Sequence, residues 1–425
     1  MKIAILHPNL DVKSGAERQV LQLAVGLKEK GHEITIYVSK LDPDNCFPEL
    51  IRKVKIVECG GYGYKDMKKM ILLSPYFMRK MAQRVLKDIQ AGQNYDLIHC
   101  HNYPSTYTAV KIKKGLRKSY NRKLSSEKLD KKNQEKNVPI VWMCNEPPFP
   151  PIYYGQKAAK TIKSWVYRLA IAPFLIYNRL AAKEIDQIMV LDQMNFARVK
   201  LTYRREPTIV HTGLDLPANS NISSDDQEKN HNNPEQDHQH FVILATGRID
   251  QGKRTEDAIL ALSQLKGKIP NILLKIAGGG QKLEEMKQLA EKLGLNNYIR
   301  FYGRVSDQKL QELYSSCDVF LFTAENQSWG LVPLEAMSYG KPCLVSTGAG
   351  VSDVLTEKEN CLKINPRDVN SIVQNILLLR HNSKLAEQIS KNGEKFVKET
   401  FSWEKYVESM EKIFISLQKG CSPNT

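Results

Sequence analysis

The sequence predicts an α/β protein built as two doubly wound halves, and three observations carry that prediction. Short apolar runs recur between amphipathic helical stretches, the alternation that makes parallel βαβ units. The runs form two series, separated by one strongly polar interruption. The chain has 425 residues, 42% of them apolar, which is enough for two hydrophobic cores and too long for one.

The first series is KIAILH, HEITIYV, VKIVEC, YDLIHC, PIVWMC and DQIMVL. An amphipathic helix beginning near Glu17 follows the first run, after a loop containing Ser14-Gly15-Ala16. Residues 219–240, NSNISSDDQEKNHNNPEQDHQH, carry five acids and one lysine with almost nothing to bury, and read as a flexible linker. His231, His238 and His240 have the chemistry to bind metal, but no regular element fixes their geometry, so a solvated loop is expected. The second series is FVILATG, NILLKIAGGG, IRFYG, CDVFLFTA, KPCLVST and NCLKI. Two Rossmann-like domains over 1–218 and 241–400 are therefore expected. The final helix, 402–418, sets Trp403, Tyr406, Val407, Met410, Ile413, Phe414 and Leu417 on one stripe. Such a stripe must pack on a core, and the first domain is the one it is expected to complete.

The net charge of +16 is unevenly spread. Residues 65–90 hold seven Lys/Arg against two acids, 111–136 eleven against three, and 157–205 ten against three, so the rest of the chain is slightly acidic. A basic first half faces either solvent alone or something anionic: nucleic acid, a bilayer surface or a phosphorylated acceptor. The eight cysteines occur singly, without CxxC pairs and mostly inside apolar runs, which suits reduced core thiols. MKIAILHPNL lacks a signal peptide's long apolar region and cleavage site, and no stretch approaches roughly eighteen uncharged apolar residues. A cytoplasmic protein that does not span a membrane is expected.

In doubly wound sheets, ligands bind beyond the carboxyl ends of strands, where loops lead into helix amino termini with free N–H groups. Four stretches have that form. Gly15 lets the backbone approach a phosphate or sugar, or simply turns the chain. In ATGRIDQGKR, Arg248 and Lys253 follow a strand end, where two cations can clamp a diphosphate and stabilise its charge as a bond to it breaks. IAGGGQKLEEM puts three glycines between strand and helix but lacks both the P-loop lysine and the GxGxxG spacing, so a tight turn is expected. In TAENQSWGLVPLEAMSYG, Trp329-Gly330 leads into a helix with Pro333 in its first turn and Glu335 about a turn in. A carboxylate there can accept two ribose hydroxyls, or be a surface acid stabilised by the helix dipole.

Taken together, GRIDQGKR, IAGGG, IRFYGRVSDQKL and ENQSWGLVPLEAMSYGKPCLVS resemble, in order and spacing, the donor half of the retaining glycosyltransferases of family GT4, whose fold is GT-B. SGAERQVLQLAVGLKEKGHEITIYVS, YDLIHCHNYPS, VHTGLD and FSWEKYVESM extend the resemblance over nearly the whole chain. SKLDPDNCFPEL is similar to the Alg2-type mannosyltransferases, which act on lipid-linked oligosaccharides. The resemblance implies two Rossmann-like domains facing across a cleft, with the first binding the acceptor and the second the nucleotide sugar.

It also implies roles. Arg248 and Lys253, beside Gly247, would hold the donor diphosphate, approached from the first domain by Gly15 and Ala16. Gly303, Arg304 and Val305 would lie against the base, and the segment Gly330, Leu331 and Val332 would supply amides to the diphosphate. Glu335 matches the second acid of the family's EX7E motif, which binds ribose. The first acid falls on Gln327, with Glu325 two residues earlier, both on the sugar side; a glutamine can hydrogen-bond a hydroxyl but carries no charge. The family's usual histidine falls on Asn145, with Glu146 next to it.

Retaining transfer in this family proceeds by front-face substitution, in which the departing diphosphate oxygen takes the acceptor proton. The resemblance thus implies leaving-group stabilisation by Arg248, Lys253 and helix amides, with Asn145 or Glu146 positioning the acceptor or the sugar. It further implies that no metal or other cofactor is obligatory, that the donor is GDP-mannose or a UDP-sugar, and that the acceptor is a lipid-linked saccharide or another glycan. KKMILLSPYFMRKMAQRVL and KTIKSWVYRLAIAPFLIYNRLAAK mix cations with apolar residues, as a surface docked on the cytosolic face of an anionic membrane would, or as plain core helices would. No zinc-finger, RRM or helix-turn-helix pattern supports a nucleic-acid partner. Gln327 and Asn145, in place of Glu and His, equally suit a sugar-nucleotide-binding pseudoenzyme or regulatory protein.

Overall fold

The computed structural model describes residues 1–63, 66–127, 138–147, 176, 178–217 and 240–420. The expected linker up to residue 239 lies outside them, as do His231, His238, residues 157–175 and 177 of the basic stretch 157–205, and Cys421. The chain forms two compact units, Met1–Gly213 with Trp403–Thr425, and Leu214–Ser402.

The first unit carries β1 (Lys2–Leu6), β2 (Asn9–Leu10), β3 (Glu33–Val38), β4 (Lys40–Leu41), β5 (Lys55–Glu58), β6 (Leu97–His101), β7 (Ile140–Met143), β8 (Gln187–Val190) and β9 (Thr208–Ile209). Seven of these make one parallel sheet in the order β5-β3-β1-β6-β7-β8-β9, and β2 pairs separately with β4. All six expected runs are strands of the large sheet. β9, β2 and β4 are two-residue pairings too short to leave a periodic signal. Ala4, Leu6, Ile98, Cys100, Trp142 and Ile188 form the inner rows of its core, fully shielded because helices cover both faces of a parallel sheet.

The second unit carries β10 (Phe241–Thr246), β11 (Ile272–Ala277), β12 (Ile299–Gly303), β13 (Val319–Phe322), β14 (Cys343–Ser346) and β15 (Leu362–Ile364). Their order, β12-β11-β10-β13-β14-β15, is that of a Rossmann sheet, with the direction of winding reversing between β10 and β13. The α/β class with two Rossmann-like parallel sheets is as expected. Turn chemistry is as legible as the strands: the helix Val332–Ser338 has Pro333 in its first turn, where a missing N–H costs nothing. At IAGGG the first glycine is obligatory. Gly278 has φ +143°, and a Cβ there would meet the Gly247 carbonyl oxygen at 1.8 Å.

The helix Trp403–Gln418 belongs to the first unit and buries Tyr406, Val407, Met410, Ile413 and Phe414 against it. It packs on the helix Gly15–Glu29 at Gly26, where an added Cβ would lie 2.6 Å from a Val407 methyl. Burying each of Val407, Met410 and Phe414 stabilises the docked helix by about 2 kcal/mol. His32 to Glu411, at 2.8 Å, adds a polar tie. One expectation needs correcting. The first helix begins at Gly15, two residues before Glu17, because Ser14 takes the extended conformation of an N-cap and its carbonyl already accepts the Arg18 N–H. Gly15 and Ala16 are thus first-turn residues rather than a loop.

The seven described cysteines are buried free thiols, and burial pushes Cys46 and Cys361 up to about 12 and Cys59 up to about 11, so they behave as core residues. Among the described residues no helix is long and apolar enough to cross a membrane.

Candidate active site

In the second unit the winding reverses between β10 and β13, so the loops that follow them diverge and leave a recess. Thr246, Gly247, Arg248, Ile249 and Lys253 line it from one side, Phe322 and Thr323 from the other. The two loops are laced together. Glu325 N–H donates to the Gly252 carbonyl at 2.7 Å, and the Thr323 hydroxyl donates to the Lys253 carbonyl at 3.0 Å. The Lys253 ammonium, 5.9 Å from the Phe322 ring centre, donates to the Gln327 side-chain oxygen. Gln327 is itself pinned, its backbone N–H on Gly348 and its carbonyl receiving Gly350 N–H. The missing charge at 327 has a structural consequence: an amide accepts from the neighbouring ammonium without itself offsetting its charge, as a glutamate would. Arg248, by contrast, is 80% exposed and reaches Asp250 at 3.3 Å.

Glu325 is engaged elsewhere. Its Oε2 accepts from Arg367 Nε at 3.1 Å and Nη2 at 3.0 Å, a partner 42 residues away that no local pattern announces. Glu335 stands in the first turn of its helix with Oε2 accepting from the Tyr314 hydroxyl at 2.8 Å. The same hydroxyl lies 3.2 Å from Thr246 Oγ1, which ties the carboxylate to the wall of the recess. Gly330, φ +108°, and the fully buried Trp329, which meets Phe401 edge-on at 5.7 Å, form the turn before that helix, with Leu331 as its cap and Val332 its first residue. Gly303 closes β12 at φ +63°; Arg304 is exposed and Val305 half-buried.

In the first unit the corresponding reversal lies between β1 and β6. His7 follows β1 and His101 ends β6, their rings 5.1 Å apart, and His99 sits 5.8 Å from His101 and 5.5 Å from Phe414. All three imidazoles are buried, and burial pulls His7 and His99 down to about 3 and His101 well below its ordinary range. His7 Nε2 faces the buried Glu17 carboxylate at 3.8 Å. Asn145 follows β7 in half-exposed backbone, and its side-chain amide donates to Gln19 Oε1 at 2.8 Å while its carbonyl accepts from Asn195 at 2.8 Å. Gln19 Oε1 also meets His101 Nε2 at 3.0 Å. Glu146 is exposed. Gln19 and His101, together with Tyr314, Thr246 and Arg367, are partners that sequence reasoning missed, since nothing local marks which distant residue a side chain will face. Among the described residues no cluster of three His, Cys, Asp or Glu is placed to hold a metal ion.

Comparison with known proteins bears on both units. A family model described as Glycosyltransferase Family 4 matches residues 13–216, and one described as Glycosyl transferases group 1 matches residues 226–396. The chain is 24% identical to the alpha-1,3/1,6-mannosyltransferase ALG2 of Dictyostelium discoideum, with 97% of each chain covered, and 22% identical to that of Homo sapiens, with 98% of this chain and 96% of the other covered. Among solved structures, Anabaena HepE in complex with UDP aligns at a TM-score of 0.69 and 17% identity, over 98% of this chain and all of the other. Sucrose-phosphate synthase from Thermosynechococcus elongatus aligns at 0.70 and 18% identity, over 99% of each. These structural likenesses are ones of fold, and the shared fold is GT-B.

Proposed function

The chain belongs to the family 4 glycosyltransferases, and from that premise we propose that it moves a hexose, mannose in the first instance, from a nucleotide sugar to a lipid-linked saccharide with retention of anomeric configuration. The observation that carries this reading is the pairing of Lys253 and Arg248, at the reversal of the second sheet, with Glu335, linked to the same strand end through Tyr314 and Thr246. A strand-end recess with two cations and a nearby carboxylate suits a nucleoside diphosphate, whose phosphates need neutralising and whose ribose offers a diol. The relatives named mannosyltransferases make GDP-mannose the first donor to test and leave UDP-sugars as the comparison.

In the proposed reaction the bond from the anomeric carbon to the diphosphate oxygen breaks as the acceptor hydroxyl oxygen bonds to the same face of that carbon. The acceptor proton passes to the departing oxygen. Lys253, Arg248 and the Leu331 and Val332 amides offset the charge growing on the diphosphate, and Gly303 to Val305 flank the base. On the acceptor side, Asn145, whose amide is held by Gln19, orients a sugar or acceptor hydroxyl together with Glu146, whereas Gly15 and Ala16 keep the diphosphate role that the resemblance implies. No step calls for a metal. A thermal-shift panel of GDP-mannose, UDP-glucose, UDP-GlcNAc and their nucleoside diphosphates is expected to raise the unfolding midpoint most with GDP and GDP-mannose. A larger shift with a UDP-sugar reassigns the base, and binding without transfer to a lipid-linked acceptor supports a regulatory protein instead.

The acceptor's lipid anchor calls for a membrane surface. Along the helix Met67–Gln90, exposed Leu73 and Tyr76 share a face with Lys80, Arg84 and Lys87, and Ile176 and Leu180 are also exposed. Apolar side chains among cations suit peripheral docking on anionic lipid at the cytosolic face. Flotation with vesicles containing phosphatidylserine is expected to recover the protein at 50 mM salt and lose most of it at 500 mM, whereas neutral vesicles recover little. Equal recovery on both vesicle types counts against this surface.

A further inference from the structure

Glu335 is held from outside its own helix. Tyr314, from the helix Asp307–Ser316, is 2% exposed, its ring stacked on Tyr339 at 5.6 Å and tilted against Phe320 at 5.8 Å. Aromatic neighbours on two sides leave the ring little freedom, so its hydroxyl stays where it meets Glu335 Oε2 at 2.8 Å and Thr246 Oγ1 at 3.2 Å. A carboxylate can only accept, so the phenol donates to Glu335 and receives the Thr246 hydroxyl proton. Burial first, and the Glu335 charge second, raise Tyr314 well above the ordinary phenol range, so the proton stays on the phenol and the bond keeps its direction at any working pH.

From this geometry we infer that Tyr314 is a positioning residue for the donor's ribose: it fixes the rotation of the Glu335 carboxylate and couples it through Thr246 to the strand end that bears the diphosphate recess. The inference rests on the proposed role of Glu335 as the ribose acid. Two carboxylate oxygens offer about four lone-pair sites, so a bond from Tyr314 is compatible with bonds from both hydroxyls of a diol. Without the phenol one restraint on the carboxylate's last torsion is lost, and the ligand must then supply it on binding. Thr246 lines the recess, so the same chain of contacts spans the diphosphate and the ribose. A nucleotide is thereby gripped at two points whose separation is set by a buried ring rather than by a flexible side chain.

The test is calorimetric binding of GDP and UDP, each in ribose and 2′,3′-dideoxyribose form, to the full chain and to Tyr314→Phe, Glu335→Gln and the double variant. Tyr314→Phe is expected to weaken the preferred ribose diphosphate about tenfold and leave its dideoxy form unchanged. The double variant should bind no more weakly than Glu335→Gln alone, since the tyrosine acts through the glutamate. Tyr314→His, which keeps a ring donor, should recover part of the discrimination and also serves if the phenylalanine variant does not fold. Equal weakening of ribose and dideoxyribose forms, or additive losses in the double variant, overturns the inference while the ribose assignment stands. If the unaltered protein itself binds both forms equally, or binds neither diphosphate, the assignment of Glu335 fails and the inference falls with it.

Discussion

Lys253→Ala is expected to lower the rate of nucleoside diphosphate release in the presence of a lipid-linked acceptor by roughly 100-fold to 1,000-fold. The ammonium sits in the recess between β10 and β13, against an uncharged glutamine oxygen and above the Phe322 ring, where water is partly excluded. A cation in such a place stabilises charge that grows on the leaving group more than a solvated one can. Arg248 supplies the contrast. Its side chain is 80% exposed, so solvent screens it, and Arg248→Ala should cost only about tenfold. Neither change removes core volume, so the unfolding midpoint should move by no more than about 2 °C. Retention of more than a third of the activity by Lys253→Ala, in protein with an unchanged midpoint, would remove the ammonium from the reaction.

Mild acid should destabilise the first unit steeply. His7, His99 and His101 are neutral in the folded state because burial excludes their charged forms, with His7 and His99 brought down to about 3 and His101 well below its ordinary range. In the unfolded chain they regain an ordinary pKa of about 6.5. Above that pH neither state is protonated and the three add no pH dependence. As pH falls below it the unfolded chain takes up protons that the fold refuses, so stability declines by roughly 1 kcal/mol per pH unit for each histidine, down to the folded values. Glu17 runs the other way. Burial raises its carboxyl, and the fold gains from protonating it as pH falls. One acid against three bases leaves a net loss, visible as a fall in the urea midpoint between pH 7 and pH 5. His99→Leu, next to Phe414 in an apolar setting, should reduce that slope by about one proton. A midpoint independent of pH across this range would mean that the imidazoles reach solvent.

The recess shows how far local pattern reaches. Lys253 and Glu335 stand out in the sequence because each follows a strand end or opens a helix, Gln327 stands out only through the family resemblance, and the structure brings Lys253 and Gln327 into contact across 74 residues. Arg248 stands out by the same reasoning, yet it points largely to solvent beside Asp250. Glu325 and Glu335 look alike as carboxylates in one short stretch of sequence, but Arg367 takes the first and Tyr314 the second. Asn145 follows β7, and only the folded unit shows Gln19, 126 residues earlier, holding its amide.

By itself the sequence determined every strand of both large sheets except the two-residue β9, the helix that opens with Pro333, the close turn at IAGGG and the apolar stripe of the last helix. These rest on periodicity, on the missing proline N–H and on three glycines set between a strand and a helix, all properties of residues near one another in the chain, whereas the Gly247 carbonyl that bars a Cβ at Gly278 is brought there by the fold. Strand order, the place where each sheet reverses its winding and the partner of each polar side chain were decided only by the tertiary structure. A hydrogen bond depends on distance and direction in space, and helix and strand patterns carry no record of which distant element will lie alongside.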